Sequence, residues 1–434
     1  MSESREIYKT LDLALRMGEI LLSSGAGAAD VTATMLSVCQ HYGVRNPDVD
    51  VTFTSLRMAH PGGEDEFPLM LTRTVTQRDI DYDDVTRVHE LVLDILGDRI
   101  TRDEARAKVA RISSTGHWAP RWAVVLGSGA IGGGVAVILG GTLLVVAVAV
   151  VAGMGIDIMS RALNRRRWPM FYQQAAGGLY ATMLAVGLAA TPAEVDISAV
   201  ITASIILLLA GIGFMGAVQD ALSGFYVTAG ARILEAMLAT AGLIAGVSAG
   251  LALAPVIGVE LGVVAPGNVL LANVPYVLGG AAVAAVAFAF TCYAPLKALP
   301  AVLVTTVLGH GIFMAIQAPG LGRPWAAAWA AIAIGLVSYT IAGRVGVPPL
   351  VVVVPSIVPM LPGLSIYRGL SAFADQDPVG IVFLTTAAAT TIALASGVIA
   401  GEYLAQPLKR TTRKLETRLA GPRLVGVLHG HKDK

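Results

Sequence analysis

Hydrophobic positions are arranged in two ways along this chain. Up to about residue 110 they recur at helix or strand spacing among charges, whereas from Trp122 to Glu402 they run almost unbroken and the charges gather in short clusters. The roughly 30 Å hydrocarbon core of a bilayer takes about 20 apolar residues to cross as a helix. The long second region therefore predicts a bundle of membrane-crossing helices.

In the first region, LDLALRMGEILLSSGAG sets Leu11, Leu15 and Leu22 at helical spacing, with Gly25 and Gly27 as a stop. Asp30 starts a second helix that ends at Gly43. VDVTFTSLRMAH and FPLMLTRTV alternate as two strands joined by the turn PGGEDE. DYDDVTRVHELVLDIL reads as a helix, and Thr101 with Glu104 forms a capping box opening the next. The prediction is a small α/β domain over residues 1–115. No signal-peptide pattern precedes it, so it is expected in the cytosol.

The second region predicts a polytopic α-helical membrane protein of about ten transmembrane helices in two five-helix halves, residues 116–264 and 265–408, with a basic cytosolic tail over 409–434. Trp118 and Trp122 suit the membrane interface. Residues 122–158 are too long for one span and turn near Gly140 and Gly141. Further spans fit 171–190, 197–217, 227–254, 271–291, 301–317, 325–342, 348–366 and 379–402. The cluster Arg161, Arg165, Arg166 and Arg167 marks a cytosolic loop under the positive-inside rule, and ten spans put both termini, Lys297 and Arg344 on that side. The proline-broken segment 348–366 is the exception; as a re-entrant element it reduces the count to nine and moves the C-terminus across. An odd number of spans per half makes the halves oppositely oriented, a common basis of alternating access.

Composition agrees with embedding: 55% of the 434 residues are hydrophobic and 14% charged, and mean hydropathy is +0.69. A net charge of +1 offers nothing to nucleic acid. Cys39 and Cys292 stand in different regions, against a disulfide or thiolate metal site. There is no Walker A run, zincin motif or nucleophile elbow at Ser24, so neither an enzyme nor ATP as energy source is expected. His60 near Glu64 and Asp65 reads as a solvated turn before it reads as a metal site. No cofactor is implied.

Candidate chemistry lies at polar breaks in apolar spans. Asp220, beside Gln219 and shortly before Tyr226, is an ionisable group near membrane depth, where such groups are costly and face a cavity or partner. Its structural alternative is a helix-ending carboxylate at the interface. Pro355, Pro359, Pro362 and Gly363 break a second span and free backbone groups that protein or a polar cavity must satisfy. Tyr367 and Arg368 follow, the arginine suited to a substrate carboxylate or a lipid headgroup. His310, between Gly309 and Gly311, would relay protons or rest neutral within the bundle.

Across nearly its whole length the chain resembles the threonine/serine exporter family. The resemblance is carried by ALRMGEILLSSGAGAADVTATM, HYGV, AVQDALSGFYVTAGAR, APLKALP, GHG and VVPSIVPMLPGLSIYRGL. It implies a cytosolic N-terminal domain, about ten transmembrane helices and proton-driven export of threonine and serine through a bacterial cytoplasmic membrane. It also implies site roles for Gly216, Asp220, Gly224 and Tyr226, and for Gly309, His310, Pro359, Pro362, Gly363 and Tyr367. Split relatives imply dicarboxylate export as the nearest alternative; a membrane-tethered sensor or structural assembly is the alternative from another class. The expected partners are threonine, serine, protons and the lipid bilayer, with self-association into a homo-oligomer left open.

Overall fold

The computed structural model describes residues 2–62, 67–76, 78–191, 197–259, 274–317, 320–374 and 376–409. They form two units: Met1–Gly116 with Gly216–Ala231 and the segment from Gln406, and His117–Met215 with Arg232–Ala405.

In the first unit α1 (Ser2–Ser23) and α2 (Ala28–His41) meet at a sharp turn. Gly25 there has φ of +92°, a conformation that a β-carbon disfavours. Strands β1 (Asp48–Val51), β2 (Ser55–His60) and β3 (Leu69–Thr74) form an antiparallel sheet in that order. The sequence predicted one strand across β1 and β2. The structure folds it into a hairpin, because Thr52 Oγ1 accepts from the Ser55 amide at 3.2 Å while the Thr52 amide donates to the Ser55 carbonyl at 2.9 Å. Of the expected PGGEDE turn, residues 63–66 lie outside the described residues, and with them Glu64 and Asp65. Helices α3 (Tyr82–Leu96) and α4 (Arg102–Ile112) follow, the latter opened by the Thr101–Glu104 capping box. Leu11, Leu15, Met17, Met35, Leu56, Met58 and Ile95 are fully buried in this unit.

Past the first unit the chain continues through α5 (Arg121–Ile138), α6 (Leu143–Arg165), α7 (Met170–Ala189), α8 (Ile197–Ser204), a 3-10 turn at Ile205–Leu208, α9 (Gly211–Leu222) and α10 (Tyr226–Val256), the end of α9 and the start of α10 belonging to the first unit. Then come α11 (Val274–Thr291), a 3-10 turn at Leu296–Ala298, α12 (Leu299–Gln317), α13 (Arg323–Val345), α14 (Leu350–Ile357), a 3-10 turn at Val358–Met360, α15 (Gly363–Ala374) and α16 (Val379–Lys409). Among the described residues seven helices are long and apolar enough to cross a membrane, or eight when the segments Leu350–Met360 and Gly363–Leu370, bent by 47°, count as one span. The protein is polytopic. Large apolar side chains stand exposed on these helices, Leu143, Trp122, Trp325 and Val382 among them, as lipid rather than water requires.

One sequence expectation changes here. The span read over 197–217 is not continuous: it breaks at Leu209 and Ala210, between the 3-10 turn and α9. Neither α7 nor the α8–α9 pair is among the helices that meet the length and hydropathy needed for a crossing.

Corresponding elements start at a nearly constant interval of 152 or 153 residues: Arg121 and Val274, Met170 and Arg323, Ile197 and Leu350, Gly211 and Gly363, Tyr226 and Val379. Packing repeats as well. On α7 and α10, a β-carbon at Gly178 would stand 2.7 Å from the Leu243 carbonyl oxygen, and one at Gly246 would collide with that of Ala175. On α13 and α16, Gly397 would meet the Ala328 carbonyl at 2.7 Å and Gly401 would collide with that of Ile332. In both pairs only a missing side chain lets backbone lie on backbone. Helices α5 and α11 run antiparallel: Gly127 lies against Thr291, and Gly134 and Gly280 face each other's carbonyl oxygens, with an added β-carbon 2.8 Å and 2.6 Å away respectively.

Candidate functional site

Two broken helices touch at their breaks. Before each break the chain tightens from α-helix into a 3-10 turn, and then one leucine is extended: Leu209 at φ −70°, ψ 128° and Leu361 at φ −57°, ψ 139°. A new helix opens on glycine in each case, with first-turn bonds from the Phe214 amide to the Ala210 carbonyl at 3.1 Å and from Ile366 to Pro362 at 3.0 Å. A β-carbon at Gly363 would stand 2.8 Å from Leu209 Cβ. One at Gly211 would stand 3.1 Å from Leu361 Cβ and 3.5 Å from the Gly363 nitrogen. The amino ends of α9 and α15 therefore meet, and helix amino ends present amides without intrahelical partners and a positive dipole end.

The flanking side chains are exchanged between halves. Met215 on α9 is buried among Phe313, Val353, Ile357 and Met360. Its counterpart four residues past the second opening glycine, Tyr367 on α15, packs on the group that includes Val200, Ile201, Ile205 and Leu208. Each trailing helix is thus held by the core of the other half.

Polar atoms without a hydrogen-bond partner among the described residues gather in the same unit. Buried Thr305 on α12, Ser338 on α13 and Ser356 on α14 each have such a hydroxyl, and these three helices pack on one another. Buried His310 stacks on Phe313, ring centres 5.7 Å apart, and its Nδ1 has no hydrogen-bond partner among the described residues. The Arg323 guanidinium carbon also stands over the Phe313 ring, 5.9 Å from its centre.

The residues singled out from sequence divide into two sets. His310, Pro359, Pro362, Gly363, Tyr367 and Arg368 belong to the second unit, with Pro362 and Gly363 buried at the break itself. Gln219, Asp220 and Tyr226 belong to the first. There Asp220 is 1% exposed and its Oδ1 accepts from the Ala28 amide at 3.0 Å, at the start of α2, whose own N-cap, Gly27, has no side chain for the task. Nearby in sequence, buried Thr228 donates to the Val51 carbonyl at 3.2 Å. Tyr226 is 74% exposed.

Sequence reading missed Asp157. It stands fourteen residues into the span that opens at Leu143, as His310 stands fourteen residues into the span that opens at Leu296. Its Oδ1 accepts from Arg161 at 2.9 Å, while its buried Oδ2 has no hydrogen-bond partner among the described residues. The available signal was its repeat position; the neighbouring arginine cluster disguised it as a loop charge. No group of three or more potential metal ligands occurs among the described residues.

Comparison with known proteins places the sequence in a family. A family described as "Putative threonine/serine exporter" matches residues 12–254, and one described as "Threonine/Serine exporter, ThrE" matches residues 278–404. The chain is 34% identical to a protein of Mycobacterium tuberculosis named "Probable threonine/serine exporter", over 95% of this chain and 80% of that one. It is 32% identical to the "Threonine/serine exporter" of Corynebacterium glutamicum, over 95% of this chain and 86% of the relative. No solved structure matches. With a polytopic fold, two family matches in sequence order and relatives aligned over nearly its whole length, the chain belongs to the threonine/serine exporter family, which is a family of transporters and not of enzymes.

Proposed function

We propose that this protein exports threonine and serine across the bacterial cytoplasmic membrane, driven by proton entry, with cargo bound where the two broken helices cross. The observation that carries the reading is the contact of Leu209 with Gly363 and of Gly211 with Leu361. A zwitterion leaving water must find partners for both charges. Paired helix amino ends suit the carboxylate, and carbonyls released by the 3-10 turns suit the ammonium.

In this reading ten membrane elements form two halves, residues 116–264 and 265–408, and the antiparallel contact of α5 with its counterpart α11 supports opposite orientation. The domain over 1–115, both termini and the tail over 409–434 face the cytosol, on the side of the Arg161–Arg167 cluster. Asp157 and His310 are the proton carriers, equivalent in position and each with a buried unpaired atom. Protonation at one and release at the other would bias the inward and outward states in turn.

The test is flux of labelled threonine in liposomes, with and without a pH gradient, and with succinate as the competing cargo. Threonine movement that follows the proton gradient is the expected result. Movement of succinate alone replaces the reading by dicarboxylate export, and absence of both from folded protein returns the chain to sensing or scaffolding.

A further inference from the structure

The two breaks have a second feature in common. Counted back from the glycine that opens each trailing helix, Ser204 stands seven residues before Gly211 and Ser356 seven before Gly363. Ser204 is the last residue of α8 and Ser356 lies in the last turn of α14, each where α-helix gives way to the 3-10 turn. They are 1% and 0% exposed, and neither Oγ has a hydrogen-bond partner among the described residues.

Buried serines and threonines in helices commonly return their hydroxyl to a carbonyl one turn back, and Thr182, Thr240, Thr306 and Thr391 all do so here. Ser204 and Ser356 do not. A hydroxyl withheld from its own helix and from water is costly. Having it twice, at equivalent positions beside touching breaks, points to a partner that arrives from outside the fold.

We propose that Ser204 and Ser356 read the side-chain hydroxyl of the cargo, one on each approach to the crossing. The proposal rests on the exporter reading and narrows it to cargo selection. A site that hydrogen-bonds a substrate hydroxyl rejects the analogue lacking it, because its own polar group is then left buried and unpaired. Valine has the shape of threonine with a methyl group in place of the hydroxyl, so the serine pair would separate them. Because α5 and α11 are antiparallel, the leading half-helices approach from opposite ends, so selection operates on both the entry and the exit side.

The experiment compares threonine and valine flux in liposomes for the full-length protein, Ser204→Ala, Ser356→Ala and the double variant. The unaltered protein is expected to favour threonine at least tenfold. Each alanine variant should cut that ratio at least fivefold, with thermal stability unchanged or raised, since the lost hydroxyl had no protein partner. A ratio unchanged in stable alanine variants overturns the proposal while leaving threonine export in place; no threonine flux from the unaltered protein overturns the exporter reading itself. Should the alanine variants not fold, Ser204→Cys and Ser356→Cys are read by a water-soluble thiol reagent. Protection by threonine but not valine supports the assignment, and equal protection by both, or by neither, overturns it.

Discussion

Asp220 caps a helix that begins 192 residues earlier in the chain: its Oδ1 lies 3.0 Å from the amide nitrogen of Ala28. Capping side chains normally come from the residue before the helix, but at that place stands Gly27. Replacement of Asp220 by Ala should free the first turn of α2 at a cost of about 1 kcal/mol, read as faster hydrogen exchange at the Ala28 amide. Asp220→Asn retains a carbonyl acceptor and is expected to keep both that protection and proton-driven flux; loss of the gradient response alone would return Asp220 to the proton path.

Acid should loosen the first unit. Burial of Asp12 opposes its ionisation, but hydrogen bonds from Arg73 and Arg16 outweigh this and hold the carboxyl below its ordinary value. Arg73 also reaches Glu19 at 2.7 Å, fastening β3 to α1. A carboxyl lowered on folding contributes stability that is complete above the unfolded value, about 3.9, and is lost as pH falls through the folded value. Hydrogen exchange in α1 should therefore quicken on acidification below about pH 4, and Arg73→Gln should weaken that dependence.

The glycine seams should resist any side chain. Gly246→Val would drive a side chain into the Ala175 carbonyl and Gly401→Val into that of Ile332. Each is expected to destabilise the second unit by about 1–3 kcal/mol, seen as a lower unfolding midpoint in detergent. Gly187→Ala, where an added β-carbon meets nothing within 4 Å, is the neutral control.

Opposed halves predict opposed loops. In a background with Cys39→Ser and Cys292→Ser, Thr142→Cys should react with an impermeant thiol reagent from outside the cell, and Lys297→Cys only after the membrane is opened. Labelling of both from one side would remove the inverted arrangement.

Asp157→Asn and His310→Gln are each expected to abolish the effect of a pH gradient on threonine flux while sparing exchange of threonine for threonine, which moves no net proton. Loss of exchange together with net flux would place the two side chains in cargo binding instead.

Local signals in the sequence were sound where local forces decide the structure. The Thr101–Glu104 capping box and the turn between α5 and α6, where Gly140 takes φ of +73°, need only neighbouring residues, and both were legible. Pro362 announced the second break because proline removes a helical donor. The first break has Ala210 in that place, and its extended Leu209 is held by Gly363 of the other half, so nothing nearby in sequence announces it. The partner of Asp220 was hidden for the same reason. The hairpin set by Thr52 and Ser55 is local, and was missed because a side-chain hydroxyl closes the turn where glycine was the signal sought.

The backbone seams have a dynamic consequence. Where α10 lies on α7 and α16 on α13 with carbonyl oxygens against glycines, sliding one helix on the other would bring side chains into the facing backbone. Each pair should move as a single stiff plank. In the proposed alternation of access, the 3-10 turns at Ile205–Leu208 and Val358–Met360, which lie outside both planks, are places where torsion could be absorbed. Two short stretches of backbone, equivalent in the two halves, would then work as a matched pair of hinges.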